Sequence, residues 1–563
     1  MNIFESRPFK VRNAEDFELS HILDVFVNPL SMARSPFEFE NSIIKGAMGS
    51  GKSMLLKANY AFHLYSIVPA LLQNEPVVLP VLIRLSDFQH IREPHEVYRA
   101  VIIQVIKELA NVYKTLARSE KMAEIHLGMQ SLPKSAFQAS RLESTLIDLV
   151  QLEADQYTET VSKELGISGK GKTNFMELGA SFNKQGVQEL TTKPQPGIGD
   201  VHAAYDRLLG DFNGGVLLLI DEAGSLDKSF FKAEGSTSLF ETLMNQFRTA
   251  EYLRTKIAVY PHSYSDILVE TRYGDMIPLT ENVTDPVGYD RFRERAIGIM
   301  DRYIRSASDG QQTVLDIFGI NPHPSAVGDL LEQIIYASGG NVRRLLAILD
   351  TCMQEAYADH CGHSLVNADH VNSGLRKHSA TAESIHGRAD LDFITTLAKT
   401  CRARSTFRFQ FPYKAPVLGK YVGKSEEHNV LKISEAGTGR RGTIYEFDYA
   451  FCVRNDIPTH YIKDSEKIDK ERSRRSGAWI TRVAQLSEEV LEHAEITGKI
   501  EGTIEFVAEG GGMLSADDGD DYYFSKKTII DGDQGKALII GKRTRFYPVN
   551  TSGVNSAHAV ELL

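Results

Sequence analysis

The sequence predicts an α/β fold: a P-loop parallel sheet, then helices, a winged helix and a small β-barrel. Three observations predict it. "GAMGSGKS", Gly46 to Ser53, matches the phosphate-loop pattern G-x-x-x-x-G-K-[ST]. "GVLLLIDEAG", Gly215 to Gly224, is a continuous apolar run ending in two acids, as expected of a parallel strand buried on both faces. The last 66 residues alternate apolar and polar positions between Gly and Asp turns, the pattern of a small antiparallel barrel.

The elements follow in order. "NSIIK" is a short strand near 42–46, and a helix near 52–67 carries Leu55, Leu56, Ala58, Phe62 and Tyr65 at helical spacing. A strand is expected at 77–88 and a helix at 97–117. The acid-ended strand covers 215–221, and "TKIAVYPHS" is the next strand, 255–263. Strands alternating with helices make a parallel sheet, whose ligands bind at the carboxyl ends of the strands. Asp221 and Glu222 would therefore emerge beside the loop of Gly46, Gly49, Ser50, Gly51, Lys52 and Ser53. A core strand that ends in solvated acids would look the same in isolation. Almost a hundred residues separate the 97–117 helix from the acid-ended strand, so an insertion of helix plus hairpin is expected at about 118–198.

That insertion contains a second formal match, "GISGKGKT", Gly166 to Thr173. No strand enters it: "TETVSKEL" reads as the end of a polar helix. No helix leaves it: Asn174, Gly179, Asn183 and Gly186 favour turns. A P-loop works only where strand and helix aim backbone N–H groups at phosphate. Gly166 therefore reads as a helix C-cap with a basic tip, Lys170 and Lys172.

Bulk composition is that of a soluble globular protein, 42% apolar and 24% charged. A chain of 563 residues implies two to four domains. No long apolar run or secretory leader stands out, and the four cysteines form no C-x-x-C pair, so a reduced, cytoplasmic setting without membrane contact is expected. "CMQEAYADHCGH" has no standard zinc spacing. A net charge of -11 argues against a surface coated for wrapping nucleic acid. Residues 381–480 nonetheless hold 18 Lys and Arg against 13 Asp and Glu, whereas the final 83 residues hold 8 against 14.

These motifs resemble the AAA+ ATPases, within them the replication-initiator, origin-recognition-like clade, over about residues 20–380. The P-loop and "LLLIDEAG" come first. "YPHSYSD" stands where the family places sensor 1, with Ser263 or His262 in that role. "VETRYGDMIPL" is similar to the arginine-finger segment, which points to Arg272. "SGGNVRRLLAIL" is similar to the sensor 2 pattern Gly-Asn-Pro-Arg, with Arg343 on the Arg and Val342 replacing Pro. The resemblance implies ATP and Mg2+ as cofactors. Lys52 would hold the β- and γ-phosphates, Ser53 and Asp221 the Mg2+, and Glu222 the attacking water. Arg343 would sense the γ-phosphate, and Arg272 would act in trans on a neighbouring nucleotide, implying a homo-oligomer. For either arginine a solvated charge or a structural ion pair is the plain alternative. The expected domains are an ATPase core over 1–300, a helical lid over 301–380 and a winged-helix-like domain over 385–463. A charged helical linker over 464–497 and a barrel over 498–563 complete them.

In the third of these, "VLKIS", the tip "AGTGRRGT" and "IYEFDYAFCVR" read as two strands about a Gly-rich turn, with Arg440 and Arg441 on the wing, open to phosphate or to a packing role. The barrel is similar to a cold-shock domain of the OB-fold type. Tyr522, Tyr523 and Phe524 match that family's third-strand motif, whose aromatics stack single-stranded bases. "GGGMLS" lacks the family's aromatics, and Asp517, Asp518, Asp520 and Asp521 lie nearby, so protein contact is the alternative. Two functions stand side by side. One is an ATP-driven switch acting on DNA, in mobile-element or phage-defence biology by resemblance. The other is a signalling ATPase of the STAND type that assembles with a protein effector.

Overall fold

The computed structural model describes, isolated positions apart, residues 2–30, 35–108, 214–221, 239–260, 274–320, 329–411, 418–422, 428–435, 443–457, 484–485, 499–529, 537–551 and 554–563. They divide into two compact units, Asn13–Thr280 and a composite of Met1–Arg12 with Glu281–Leu563. The expected ATPase core of 1–300 thus loses its first dozen residues and its last twenty to the composite unit. The insertion at 118–198, with Lys170 and Lys172, lies outside the described residues, as does most of the 464–497 linker. No helix among the described residues is long and apolar enough to cross a membrane.

In Asn13–Thr280 five parallel strands form one sheet in the order β2-β3-β4-β1-β5. They are β1 (Ser42–Lys45), β2 (Val77–Arg84), β3 (Gly214–Asp221), β4 (Leu253–Val259) and β5 (Asp275–Pro278). β3 explains the continuous apolar run. Val216, Leu218 and Ile220 enter one core layer with Ile257 and Val259; Leu217 and Leu219 enter the other with Ile44, Leu55 and Leu56. Side chains of a strand alternate between faces, and here both faces are covered, so Val216 to Ile220 are all apolar and the strand turns polar only at its last residue, Asp221. Burying such a side chain stabilises by roughly 1.5–3 kcal/mol.

Several ends differ from expectation. β2 stops at Arg84, where Leu85–Phe88 turns as a 3-10 helix; Ser86 and Asp87 favour that turn over a strand. β4 stops at Val259 rather than near 263. Helix α3 (Lys52–Gln73), which follows α2 (Leu19–Val25), runs past its expected end near 67, and α4 (Leu239–Thr249) lies between β3 and β4. β5 was not expected at all: four residues ending in Pro278 make a weak strand signal, and proline is tolerated because β5 is an edge strand.

Two lysines fasten the N-terminal part of this unit. Lys57 on α3 donates to the carbonyl oxygens of Ala14 (2.8 Å) and Phe17 (2.7 Å). Lys256, buried in the central strand β4, donates to Pro36 O (2.6 Å) and to Asn59 Oδ1 (2.8 Å). Burial, reinforced by the Lys256 charge, pushes His63 on α3 down to about 4, so it is neutral at pH 7.

In the composite unit, α1 (Ile3–Ser6) and the residues after it pack on helices from much later in the chain. Phe9 is fully buried against Tyr303 and Phe318, on α5 (Pro286–Ala307) and α6 (Val314–Phe318). Arg7 and Arg12 both bond Asp350 at 2.6 and 3.2 Å. Asp350 belongs to α8 (Val342–His360), flanked by α7 (Asp329–Ser338) and α9 (Ala368–Glu383). The buried aromatic and the paired carboxylate are the physical reason that the first dozen residues leave the sheet.

After α10 (Arg388–Ala403) come β6 (Arg408–Phe411), α11 (Gly419–Val422), β7 (Leu431–Glu435), β8 (Thr443–Phe447), α12 (Tyr449–Arg454) and β9 (Ala484–Gln485). Their sheet order is β7-β8-β6-β9, with β7-β8 and β6-β8 antiparallel. The segment read as one strand, "IYEFDYAFCVR", is strand only to Phe447. Asp448 then caps α12 by accepting from the backbone N–H of Ala450 and Phe451, which turns the rest into a helix. The chain ends in a closed barrel of β10 (Ile500–Ala508), β11 (Gly511–Ala516), β12 (Asp521–Ser525), β13 (Arg543–Thr551) and β14 (Val554–Leu562).

Candidate nucleotide site

β1 delivers the P-loop and α3 receives it. Gly46 N–H donates to Val259 O at 3.2 Å, which ties the loop's first residue to the end of β4. Ala47 N–H donates to Thr280 Oγ1 at 3.0 Å, and Ser50 N–H returns to Ala47 O at 3.3 Å. Gly49 and Gly51 have φ of 80° and 95°, the region glycine alone enters without strain. A Cβ on Gly46 would collide with Ser50 Oγ. Gly49 and Gly51 are therefore required by backbone shape, and Gly46 by the close approach of the Ser50 side chain.

Lys52 is 6% exposed, and its Nζ donates to Gly46 O (2.7 Å) and Ala47 O (2.8 Å). The same Nζ lies 4.0 Å from the centroid of the Tyr260 ring, a cation–π contact. Asp221, 5% exposed, is the last residue of β3. β4 alone separates β3 from β1, so the acid-ended strand and the P-loop strand finish on the same edge of the sheet.

These residues fit a magnesium nucleotide. The loop and the first turn of α3 present backbone N–H groups, and the positive end of the helix dipole, to an anion. Ser53 and Asp221 offer hard oxygen donors, the type Mg2+ takes. The described residues contain no cluster of three or more His, Cys, Asp or Glu able to hold a metal by themselves.

Glu222, His262, Ser263 and Arg272 lie outside the described residues, as do Arg440 and Arg441. Arg343 sits in the first turn of α8, whose N-cap Asn341 accepts from Arg344 N–H. The two adjacent arginines have different fates. Arg344 is buried and pairs with Asp448 at 2.5 Å, whereas Arg343 is half-buried; the Nε atoms of both make no hydrogen bond. The sequence reading missed two residues, Tyr260 and Thr280. Tyr260 is the first residue after β4 and opens the "YPHSYSD" cluster, within which the resemblance to sensor 1 points to His262 or Ser263 instead. Thr280 was hidden because β5 was not recognised.

The barrel corrects the aromatic motif. Tyr522 (7% exposed) and Phe524 (1%) point into the barrel core with Leu514 and Phe546. They cannot stack bases; of the three, Tyr523 alone faces outward, 50% exposed. The register aligns it with Met513 on β11 and, through Met513, with Phe506 on β10, which is 56% exposed.

Residues 7–74 match the family model described as ORC-CDC6-like, a stretch that includes the P-loop and all of α3. The chain is thus similar to origin-recognition-like AAA+ ATPases in that stretch, and its parallel sheet fits a P-loop AAA+ core. Among solved structures, the ORC1 protein of Aeropyrum pernix in complex with DNA is 10% identical, covering 80% of this chain and 96% of that one, with a TM-score of 0.29. The Aeropyrum pernix ORC2 protein, in ADPNP–ADP complexes, is 12% identical, covering 80% and 94%, with a TM-score of 0.30. At such scores neither superposition bears on the details of this chain. No curated protein matches it.

Proposed function

We propose that the chain is a Mg2+-dependent AAA+-type ATPase that works as a nucleotide-driven switch on DNA. One observation carries the reading: a P-loop between β1 and α3, with β4 alone between its strand and the strand that ends at buried Asp221. Hydrolysis of a phosphoanhydride needs charge neutralised on the transferring group and a positioned water. Lys52 neutralises the β- and γ-phosphates. Ser53 and Asp221 would hold Mg2+, which would supply further positive charge to the phosphates. Glu222 orients and deprotonates the attacking water, and Ser263 or His262 serves as sensor 1. Arg343 reads the γ-phosphate, and Arg272 completes the site of a neighbouring copy, so the active form is a homo-oligomer.

The element order α10-β6-α11-β7-β8, with sheet order β7-β8-β6, supports a winged helix. Arg440 and Arg441, which fall in sequence between β7 and β8, would meet phosphates. The closed five-strand barrel supports an OB-type fold, with Tyr523 and Phe506 as its exposed stacking surface.

The test is ATP turnover of the full chain with and without duplex or single-stranded DNA. Stimulation that disappears when Arg440 and Arg441 are changed to Glu supports the reading. No nucleic-acid effect at low salt favours the alternative, a STAND-like ATPase that assembles with a protein effector, which the net charge of -11 suits. Turnover should be abolished by Lys52→Ala and retained in Lys172→Ala; its loss in Lys172→Ala overturns the choice of P-loop. Molecular mass in solution with and without ATP tests the oligomer. A mobile-element or phage-defence setting rests on the resemblance alone, and phage challenge of a host carrying the protein tests it.

A further inference from the structure

Three of the groups that hold the Lys52 ammonium are neutral, and one of them comes from outside the P-loop. Nζ donates to the loop's own carbonyls, Gly46 O at 2.7 Å and Ala47 O at 2.8 Å. The third is the Tyr260 ring, whose centroid lies 4.0 Å from Nζ. Strand order puts the ring there. β4 neighbours β1 in parallel, with Val259 aligned with Lys45. Gly46 N–H donates to Val259 O, so the first residue beyond β4 stands beside the first residue of the loop. That residue is the half-buried Tyr260. All of these residues lie in the Asn13–Thr280 unit. The chemistry of the holders matters because Lys52 is buried, and an ammonium taken out of water needs partners. A carboxylate in the ring's place would attract the cation but cancel the charge meant for phosphate. Carbonyl oxygens and the negative face of an aromatic ring attract it and leave its net charge intact.

We propose that Tyr260 is a positioning residue for Lys52: its ring keeps the ammonium seated on Gly46 O and Ala47 O, in place for phosphate before nucleotide arrives. The inference rests on the proposed ATP site. A lysine side chain has a flexible four-carbon stem, and holding it in one place costs rotamer entropy. The ring offsets part of that cost. Apparent affinity scales with the fraction of chains already in the binding-competent state, so the ring acts on binding by raising that fraction, without touching nucleotide itself. The π face carries this effect, and the phenol hydroxyl is not needed for it.

The experiment measures affinity of the full chain for a non-hydrolysable ATP analogue, with Mg2+, by calorimetry. Tyr260→Leu removes the ring and should weaken binding about two- to thirtyfold, the range of one cation–π contact from exposed to desolvated. Tyr260→Phe keeps the ring and should bind as the wild type does. Leucine also changes packing at a half-buried position, so the deciding variants keep the shape: Tyr260 replaced by phenylalanine bearing one, two or three ring fluorines. Fluorine withdraws charge from the π face, and affinity should fall stepwise along the series. A ring that merely fills space would give equal affinities throughout. Equal affinities along the series, a loss in Tyr260→Phe as large as in Tyr260→Leu, or wild-type affinity in Tyr260→Leu would overturn the proposal. Those outcomes are distinct from failure of the ATP site itself, which would appear as a wild-type chain that binds no nucleotide or as Lys52→Ala binding unimpaired.

Discussion

The P-loop sheet and the terminal barrel bury apolar strands in opposite ways. Along β3 five successive residues, Val216 to Ile220, are at most 1% exposed. Along β12 exposure alternates: Asp521 and Tyr523 face out, while Tyr522 and Phe524 face in. A two-sided strand leaves the sequence reader little to decide, since every side chain goes inside and its carboxyl end is the site. A one-sided strand carries the same residue types on both faces, and a motif match does not say which aromatics face solvent. That is why the Asp221 strand could be placed from sequence, while two of the three aromatics in "YYF" were assigned to the wrong face.

The comparison can be broken in four places, taken from the largest expected effect. Lys52→Ala should lower ATP turnover at least about 100-fold, as removal of a preorganised transition-state donor does; near-normal steady-state turnover would detach the chemistry from the sheet. Next come the strands themselves. Leu217→Ala and Leu218→Ala should each cost about 2–5 kcal/mol, since both faces of β3 are core, whereas Phe524→Ala should cost about 3–5 kcal/mol and Tyr523→Ala under about 0.5 kcal/mol. Urea titration of each variant checks this, and equal effects at 523 and 524 would refute the barrel register. Ion pairs should divide in a parallel way by burial. Arg344→Ala strands Asp448 in the interior and should cost about 3–5 kcal/mol, while charged groups at exposed sites such as Arg543, paired to Glu501 and Asp517, contribute little. Denaturation midpoints compare the two.

The effect that is smallest at neutral pH is a pH dependence. Burial lowers the folded pKa of His63 from its ordinary 6.5 to about 4. The unfolded chain therefore binds more protons than the folded one between those values, and stability falls as pH drops through that window. The slope approaches about 1.4 kcal/mol per pH unit at its steepest. His63→Asn should flatten the stability profile between pH 6.5 and 4; an unchanged slope would mean that His63 is not held neutral.

Much of the core was legible because its signals are local. A glycine pattern next to a strand and a helix start identified Gly46–Ser53, and the φ of Gly49 and Gly51 agrees with the demand that the motif makes. Other features rest on partners distant in sequence. Nothing near Phe9 announces that it packs against Tyr303 and Phe318, nor near Arg7 that its partner is Asp350, 343 positions away. The turn at Asp448 is local, yet it lost to a strand reading because "IYEF" and "YAFCVR" are equally apolar. Their division depends on the aspartate accepting from the N–H groups of Ala450 and Phe451.

The sequence by itself determined the P-loop, the acid-ended strand, the parallel α/β class and the strand-rich end of the chain, because each is written in residue types within a dozen positions. Only the tertiary structure decided that β4 lies between β1 and β3, that Tyr260 and Thr280 stand at the loop, and which barrel aromatics face outward. Strand order and register are set by hydrogen bonds between segments up to hundreds of residues apart. Shifting a register by one residue moves every side chain to the opposite face, and no local pattern records that choice.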